Sequence, residues 1–144
     1  MTSIWEIEKK AFSPNERLTK SFLSKLANSS KAILIQDKQK YGYLLGRPLE
    51  AEWRKQFRKK DENYGKCNTI YLRSIAVLPK YQDRSIGKQM LKQFITTARK
   101  EGFKRISLHT ANSKLRWLAL KLDFKTERTD KLDGRKKEYL VKWI

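Results

Sequence analysis

The sequence predicts a single α/β domain, a layered sheet with helices in the element order ααββ-βαβαββ. Apolar residues recur at helical spacing in some stretches and at every second position in others, and the two periods alternate along the chain. The stretch from Ile70 to Gly102 reads as a strand, a breaker at Pro79, a short polar turn and a helix. An alternating segment from Arg105 to Thr110 follows at once, which makes a βαβ unit and calls for a right-handed crossover. With 144 residues and no internal repeat, low-complexity tract or evident linker, the chain is long enough to bury a core as one domain, 1–144.

Each element has a local reason. Ser3-Ile4-Trp5-Glu6 has the spacing of a capping box, and Ile4, Ile7 and Ala11 fall on one face of a short first helix. Ser13-Pro14-Asn15-Glu16 repeats that signal with proline at the first helical position, and Leu18, Phe22, Leu23 and Leu26 stripe a second helix ending near Asn28. Ala32–Ile35, the turn Asp37–Lys40 and Tyr41–Leu45 read as a β-hairpin over 32–45. From Gly46 to Asn68 charge rises, and Leu49, Trp53, Phe57 and Lys60 mark a short helix with an apolar edge and a cationic face. That face is either a nucleic-acid surface or a solvated helix docked by its aromatics. Ile86, Met90, Leu91, Phe94, Ile95 and Ala98 form one face of the central helix, and Gly102 stops it. Asn112 or Ser113 caps a helix striped by Leu115, Leu118, Ala119 and Leu122. Phe124 opens an extended segment, Asp133-Gly134 turns it, and Tyr139–Trp143 is the final strand.

Charge bounds the partners. Lys and Arg number 34 against 15 Asp and Glu, a formal net charge of +19. Such an excess either attracts an acidic partner (nucleic acid, a ribosomal surface, an anionic cofactor, an acidic protein) or is a lysine-rich solvated surface. Hydrophobic residues at 39% and aromatics at 11% indicate a folded protein. Cys67 is the only cysteine, so no intrachain disulfide forms and a reducing compartment is expected. With no leader pattern and no apolar run of membrane-spanning length, the expected location is cytoplasmic, without a membrane partner. One histidine and one cysteine do not furnish an ordinary zinc site, so no metal is expected. Walker and dinucleotide glycine patterns are absent.

The central turn carries the chemistry. A strand that feeds a tight turn and then a helix leaves the first helical N–H groups unpartnered and aimed into the turn, where they suit a phosphate. There Gln82-Asp83-Arg84-Ser85-Ile86-Gly87 resembles the coenzyme A pyrophosphate loop of the GNAT superfamily of N-acetyltransferases. That loop reads Arg/Gln-x-x-Gly-x-Gly/Ala after a strand ending in an Ile-Ala-Val type sequence, here Ile75-Ala76-Val77. Ser85 stands in place of the first glycine and still offers its backbone N–H. The family's Asn-x6-Tyr-x3-Gly-Phe pattern is also resembled. Asn112 and Phe124 stand at the right separation, with Ala119 replacing the tyrosine and Asp123 the glycine. The element order is similar to the GNAT fold from its first helix onwards, so the likeness spans nearly the whole chain.

The resemblance implies a mixed, mostly antiparallel central sheet flanked by helices, with the family's opening strand missing. It implies acetyl-CoA (coenzyme A) as cofactor, its pantetheine along Ile75, Ala76 and Val77 in a gap where strands 70–77 and 105–110 splay. The pyrophosphate would lie against Gln82 and the amides of Asp83, Arg84, Ser85, Ile86, Gly87 and Lys88, with charge from Arg84 and Lys88 and with Asn112 as a further cofactor residue. The implied activity is transfer of an acetyl group to an amine acceptor by direct attack in a ternary complex. A base there would sit at His109, where some members place a glutamate, and imidazole's unperturbed pKa of ~6.5 suits the task. The alternative is that His109 is a structural hydrogen-bonder, and Tyr71 and Tyr139 are weaker candidates for the proton donor. Ala119 cannot protonate a departing thiolate, so another group or water does so, or catalysis is impaired. The competing readings are a noncatalytic CoA-binding protein of the same fold and a basic RNA- or ribosome-binding module. The cationic charge disfavours a small polyamine and favours an acidic protein, an N-terminal amine or an RNA-linked amine as acceptor. Oligomeric state is left open, the missing edge strand leaving Ala32–Ile35 available to another chain.

Overall fold

A computed structural model describes residues 3–52, 61–64, 68–132 and 134–144. Its helices are α1 (Ile4–Ala11), α2 (Lys20–Ala27), α3 (Ile86–Lys100) and α4 (Ser113–Lys121). Its strands are β1 (Ile33–Gln36), β2 (Gly42–Pro48), β3 (Thr69–Val77), β4 (Arg105–Thr110), β5 (Lys125–Leu132) and β6 (Arg135–Trp143). Among the described residues these strands take the order β1-β2-β3-β4-β6-β5, and two helices precede the first of them, as expected. Pairs β1/β2, β4/β6 and β5/β6 are antiparallel, and β3/β4 is parallel from Thr69↔Arg105 to Tyr71↔Ser107. The mixed, mostly antiparallel sheet is therefore observed. No helix among the described residues is long and apolar enough to cross a membrane.

Two compact units divide the chain. The first comprises Met1–Arg47 and Arg73–Thr97. Ser3 Oγ accepts the Glu6 N–H at 3.2 Å and starts α1, while the Glu6 carboxylate pairs with Lys9. The second helix begins later than its proline signal implies. The Ser13 carbonyl accepts the N–H groups of Glu16 and Arg17, so residues 13–17 close a turn of their own. Glu8 Oε2 then accepts the Leu18 N–H at 2.7 Å, and α2 starts only after Thr19, whose hydroxyl accepts the Phe22 N–H at 3.2 Å. Ile7, Leu23, Leu26, Tyr43, Leu45 and Ala76 form this unit's core, with Phe12, Leu18 and Phe22 packed against it. Each large apolar side chain so buried contributes about 1.5–3 kcal/mol. The Tyr43 hydroxyl donates to buried Glu8 and lies 2.8 Å from Ser74 Oγ, which satisfies the polar end of an otherwise apolar ring.

The second unit comprises Pro48–Leu72 and Ala98–Ile144, with a core of Leu49, Tyr71, Leu132, Tyr139 and Val141. Gly102 (φ +90°) ends α3 as the sequence predicts, its N–H donating to Arg99 and that of Phe103 to the Ala98 carbonyl. Asn112 Oδ1 accepts the N–H groups of Lys114 at 2.9 Å and Leu115 at 3.1 Å, so Asn112 is the cap of α4. At the far end of α4 the same kind of stop recurs without glycine. Asp123 takes φ +68°, and Phe124 N–H reaches the Ala119 carbonyl at 3.0 Å. The hairpin turn contains Gly134 at φ +78°, and β6 starts at Arg135, earlier than expected. Asp133 of that turn, Cys67, and Trp53, Phe57 and Lys60 of the expected 49–60 helix lie outside the described residues; a single 3-10 turn, Leu49–Ala51, precedes them.

Candidate functional site

In the first unit β3 runs out at Val77 into a single 3-10 turn, Pro79–Tyr81. The Gln82 side-chain amide donates to the Val77 carbonyl at 3.1 Å and ties the turn back to the strand. Tyr81 stacks on Tyr41 with centroids 3.6 Å apart, and the Arg84 guanidinium lies 5.0 Å over the Tyr81 ring. Ser85 then adopts φ +61°, the left-handed region that favours glycine. Its carbonyl accepts the Gln89 N–H at 3.1 Å and so opens α3. The N–H groups of Ile86, Gly87 and Lys88 precede that first helical bond and have no acceptor within the helix. With no acidic residue in the first turn of α3, the positive end of the helix dipole is reinforced by Lys88.

These residues fit a diphosphate: amides without an acceptor in the helix, two cations and a left-handed turn ahead of them. The sequence departs from the motif at Ser85, whose backbone takes the left-handed conformation that glycine adopts freely. Of the predicted cofactor residues, Ala76 and Ile86 are buried and Ile75, Val77 and Gly87 half-buried. Gln82, Asp83, Arg84, Ser85, Lys88 and Asn112 are exposed. The Asn112 side-chain oxygen is spent on its cap.

The second unit holds His109. Its side chain is 1% exposed, and both ring nitrogens are engaged. Nε2 lies 2.8 Å from Asp130 Oδ2 on β5, and Nδ1 lies 2.9 Å from the Tyr71 hydroxyl on β3. Arg128 Nε donates to both oxygens of Asp130, at 2.9 and 3.0 Å. Burial alone would push the Asp130 carboxyl up, yet the hydrogen bonds of His109 and Arg128 outweigh it and hold it below the usual range. The Tyr139 ring lies 4.5 Å from that of His109. Its hydroxyl donates to Asp61 at 2.7 Å, and Arg105 grips the same carboxylate with Nη1 at 2.9 Å and Nη2 at 2.6 Å. Burial is the largest influence on the Tyr139 hydroxyl and pushes it far above its ordinary value, with Asp61 adding to the rise.

Asp61, Arg105 and Asp130 were not legible as site residues. Asp130 stands 21 positions from His109, and β6, not β5, is the strand paired with β4. β5 has two acidic residues, Glu127 and Asp130, and only the structure shows that Asp130 is the buried one.

A mixed sheet with a glycine-like turn opening the helix after β3 defines a framework for holding acetyl-CoA. The model of the GNAT acetyltransferase family matches residues 2–120, and the chain belongs to that family, whose acyl donor is acetyl-CoA. No curated protein sequence matches. Solved structures share the fold at low identity. Arabidopsis thaliana NAA60 in complex with acetyl-CoA is 15% identical with a TM-score of 0.66, covering 89% of this chain and 85% of that one. The ribosomal-protein-S18-alanine N-acetyltransferase from Escherichia coli is 17% identical with a TM-score of 0.65, covering 95% and 81%. The Drosophila melanogaster polyamine N-acetyltransferase is 12% identical with a TM-score of 0.68, covering 94% and 86%.

Proposed function

We propose that the chain, working as one domain over 1–144 in the cytoplasm, transfers the acetyl group of acetyl-CoA to an amine by direct attack in a ternary complex. The observation that carries this reading is the left-handed turn at Ser85, immediately ahead of α3. A residue with a Cβ held there costs about 1–2 kcal/mol, and strain of that kind concentrates where a ligand needs the backbone so disposed. The amides of Asp83 to Lys88 receive the pyrophosphate, Arg84 and Lys88 add charge, and the backbone of Ile75 to Val77 accompanies the pantetheine. Acetyl-CoA, when bound, supplies an acyl group activated as a thioester. The chain's part is to orient a neutral amine and keep water away, with an amide near Val77 polarising the carbonyl and His109 supplying the base. The net charge of +19 favours an amine on an acidic protein or RNA over a small polyamine.

Ala119 favours a second reading, a noncatalytic CoA-binding protein, because it is fully buried and offers no hydroxyl where the family's tyrosine stands. Calorimetry with acetyl-CoA at two salt concentrations tests the first step. The expected result is saturable one-to-one binding that Gly87→Trp abolishes, and absence of binding at either salt overturns both readings. Release of free CoA thiol across a panel of amines then separates them, since binding without turnover on any acceptor leaves the noncatalytic protein.

A further inference from the structure

The turn ahead of α3 is braced by a hairpin that lies outside the cofactor motif. Tyr41 directly precedes β2, and its carbonyl accepts the Leu78 N–H at 2.8 Å. The next residue, Gly42, donates its N–H to Asp37 Oδ1 at 2.8 Å and so closes the β1–β2 hairpin. A Cβ on Gly42 would meet the Ala76 carbonyl oxygen at 2.9 Å and Val77 Cγ2 at 3.1 Å, so the hairpin lies directly against the end of β3. The Tyr41 ring covers one face of Tyr81, with centroids 3.6 Å apart and planes within 4°. The Arg84 guanidinium, its carbon 5.0 Å from the Tyr81 centroid, therefore takes the opposite face. Lys80 Nζ reaches the same ring only at 6.0 Å, so Arg84 is the closer cation. Tyr41, Tyr81 and Arg84 thus form three layers, all within the first unit.

We propose that Tyr41 and Tyr81 are positioning residues that hold the Arg84 guanidinium ready for a phosphate group of acetyl-CoA. The proposal rests on the assignment of this turn to the cofactor. An arginine on an exposed turn loses rotamer freedom when it grips an anion, and that loss is subtracted from the affinity. A guanidinium already resting on a ring has lost part of that freedom beforehand. Its N–H donors project from its edge, so a ring against its face leaves them to donate to phosphate oxygens. Tyr41 acts one layer further back. Stacking fixes the Tyr81 ring, and the fixed ring in turn fixes the cation.

Calorimetry of the full chain with acetyl-CoA, run as a double-mutant cycle, tests this. Tyr41→Leu and Tyr81→Leu should each weaken binding about 2–5-fold, the size of an exposed cation–aromatic contact. Tyr41→Phe and Tyr81→Phe keep the rings and should bind as wild type does. Arg84→Gln should weaken binding ~10-fold. In the Arg84→Gln background Tyr41→Leu should have no further effect, because Tyr41 acts only through the guanidinium. A loss there as large as in the wild-type background overturns the proposal and leaves the stack as ordinary packing. The cofactor-free chain supplies a second readout. Arg84 side-chain NMR signals, assigned by their disappearance in Arg84→Gln, should be displaced upfield by the Tyr81 ring and return in Tyr81→Leu. Undisplaced signals in the wild-type chain overturn the proposal whatever the cofactor does. Displaced signals in a chain that binds no acetyl-CoA sink the cofactor assignment itself and leave a stack without a ligand.

Discussion

Asp61→Asn tests whether a buried ion pair holds the second unit together. Arg105 is fully buried, and its guanidinium spends Nε on Thr69 Oγ1 at 2.8 Å and both terminal nitrogens on Asp61. The same carboxylate accepts from the Tyr139 hydroxyl at 2.7 Å and from the Asn63 N–H at 2.9 Å. Asparagine keeps one acceptor oxygen and turns the other into an NH2 group, a donor facing donors. The Arg105 charge cannot be shed, so it stays buried without its counterion, and loss of one partner of such a pair costs about 3–5 kcal/mol. Burial pushes the Asp61 carboxyl up, but its bonds from Arg105, Tyr139 and Asn63 outweigh that and leave its pKa below the ordinary value. Its contribution is therefore full above the unfolded pKa of about 3.9 and fades as the pH falls towards the depressed folded value. Urea unfolding of the full chain measures the loss, and repetition between about pH 6 and pH 3 should show the difference between wild type and Asp61→Asn shrinking. The double variant Asp61→Leu/Arg105→Met, which removes both charges, should be less damaging than the single one. A cost for Asp61→Asn below about 1 kcal/mol, or a double variant at the sum of its singles, refutes the argument.

Three further substitutions follow from backbone and packing. Asp123→Gly relieves a left-handed residue at the end of α4 and should stabilise by about 0.5–1 kcal/mol in the same unfolding assay, after the greater freedom of glycine in the unfolded chain is subtracted. Gly42→Ala would place a Cβ 2.9 Å from the Ala76 carbonyl oxygen and 2.9 Å from Met90 Cε. It should cost about 1–3 kcal/mol and weaken acetyl-CoA binding in calorimetry, because Ala76 belongs to the proposed pantetheine strand. Ala119→Tyr, which restores the family's residue, meets a fully buried position and should cost about 1–3 kcal/mol of stability, read as a lower urea midpoint, without raising thiol release.

What the sequence determined by itself is local. The cap at Ser3, the stop at Gly102 and the cap at Asn112 all join groups within a few residues of each other, so the pattern of residue types contains the interaction. The element order and the turn from β3 into α3 were legible for the same reason. The start of α2 was not, because a glutamate on α1 takes the Leu18 N–H from ten residues away and lets Thr19 become the cap. Nor was the conformation at residue 85 legible, since a serine does not by itself favour φ +61°. His109 was visible as a candidate base, but its partners stand 38 and 21 positions away and are brought to it by the strand order β3-β4-β6-β5. Tertiary structure alone decided that this imidazole is held between a carboxylate and a phenol, because pairing across a sheet depends on register and not on sequence distance.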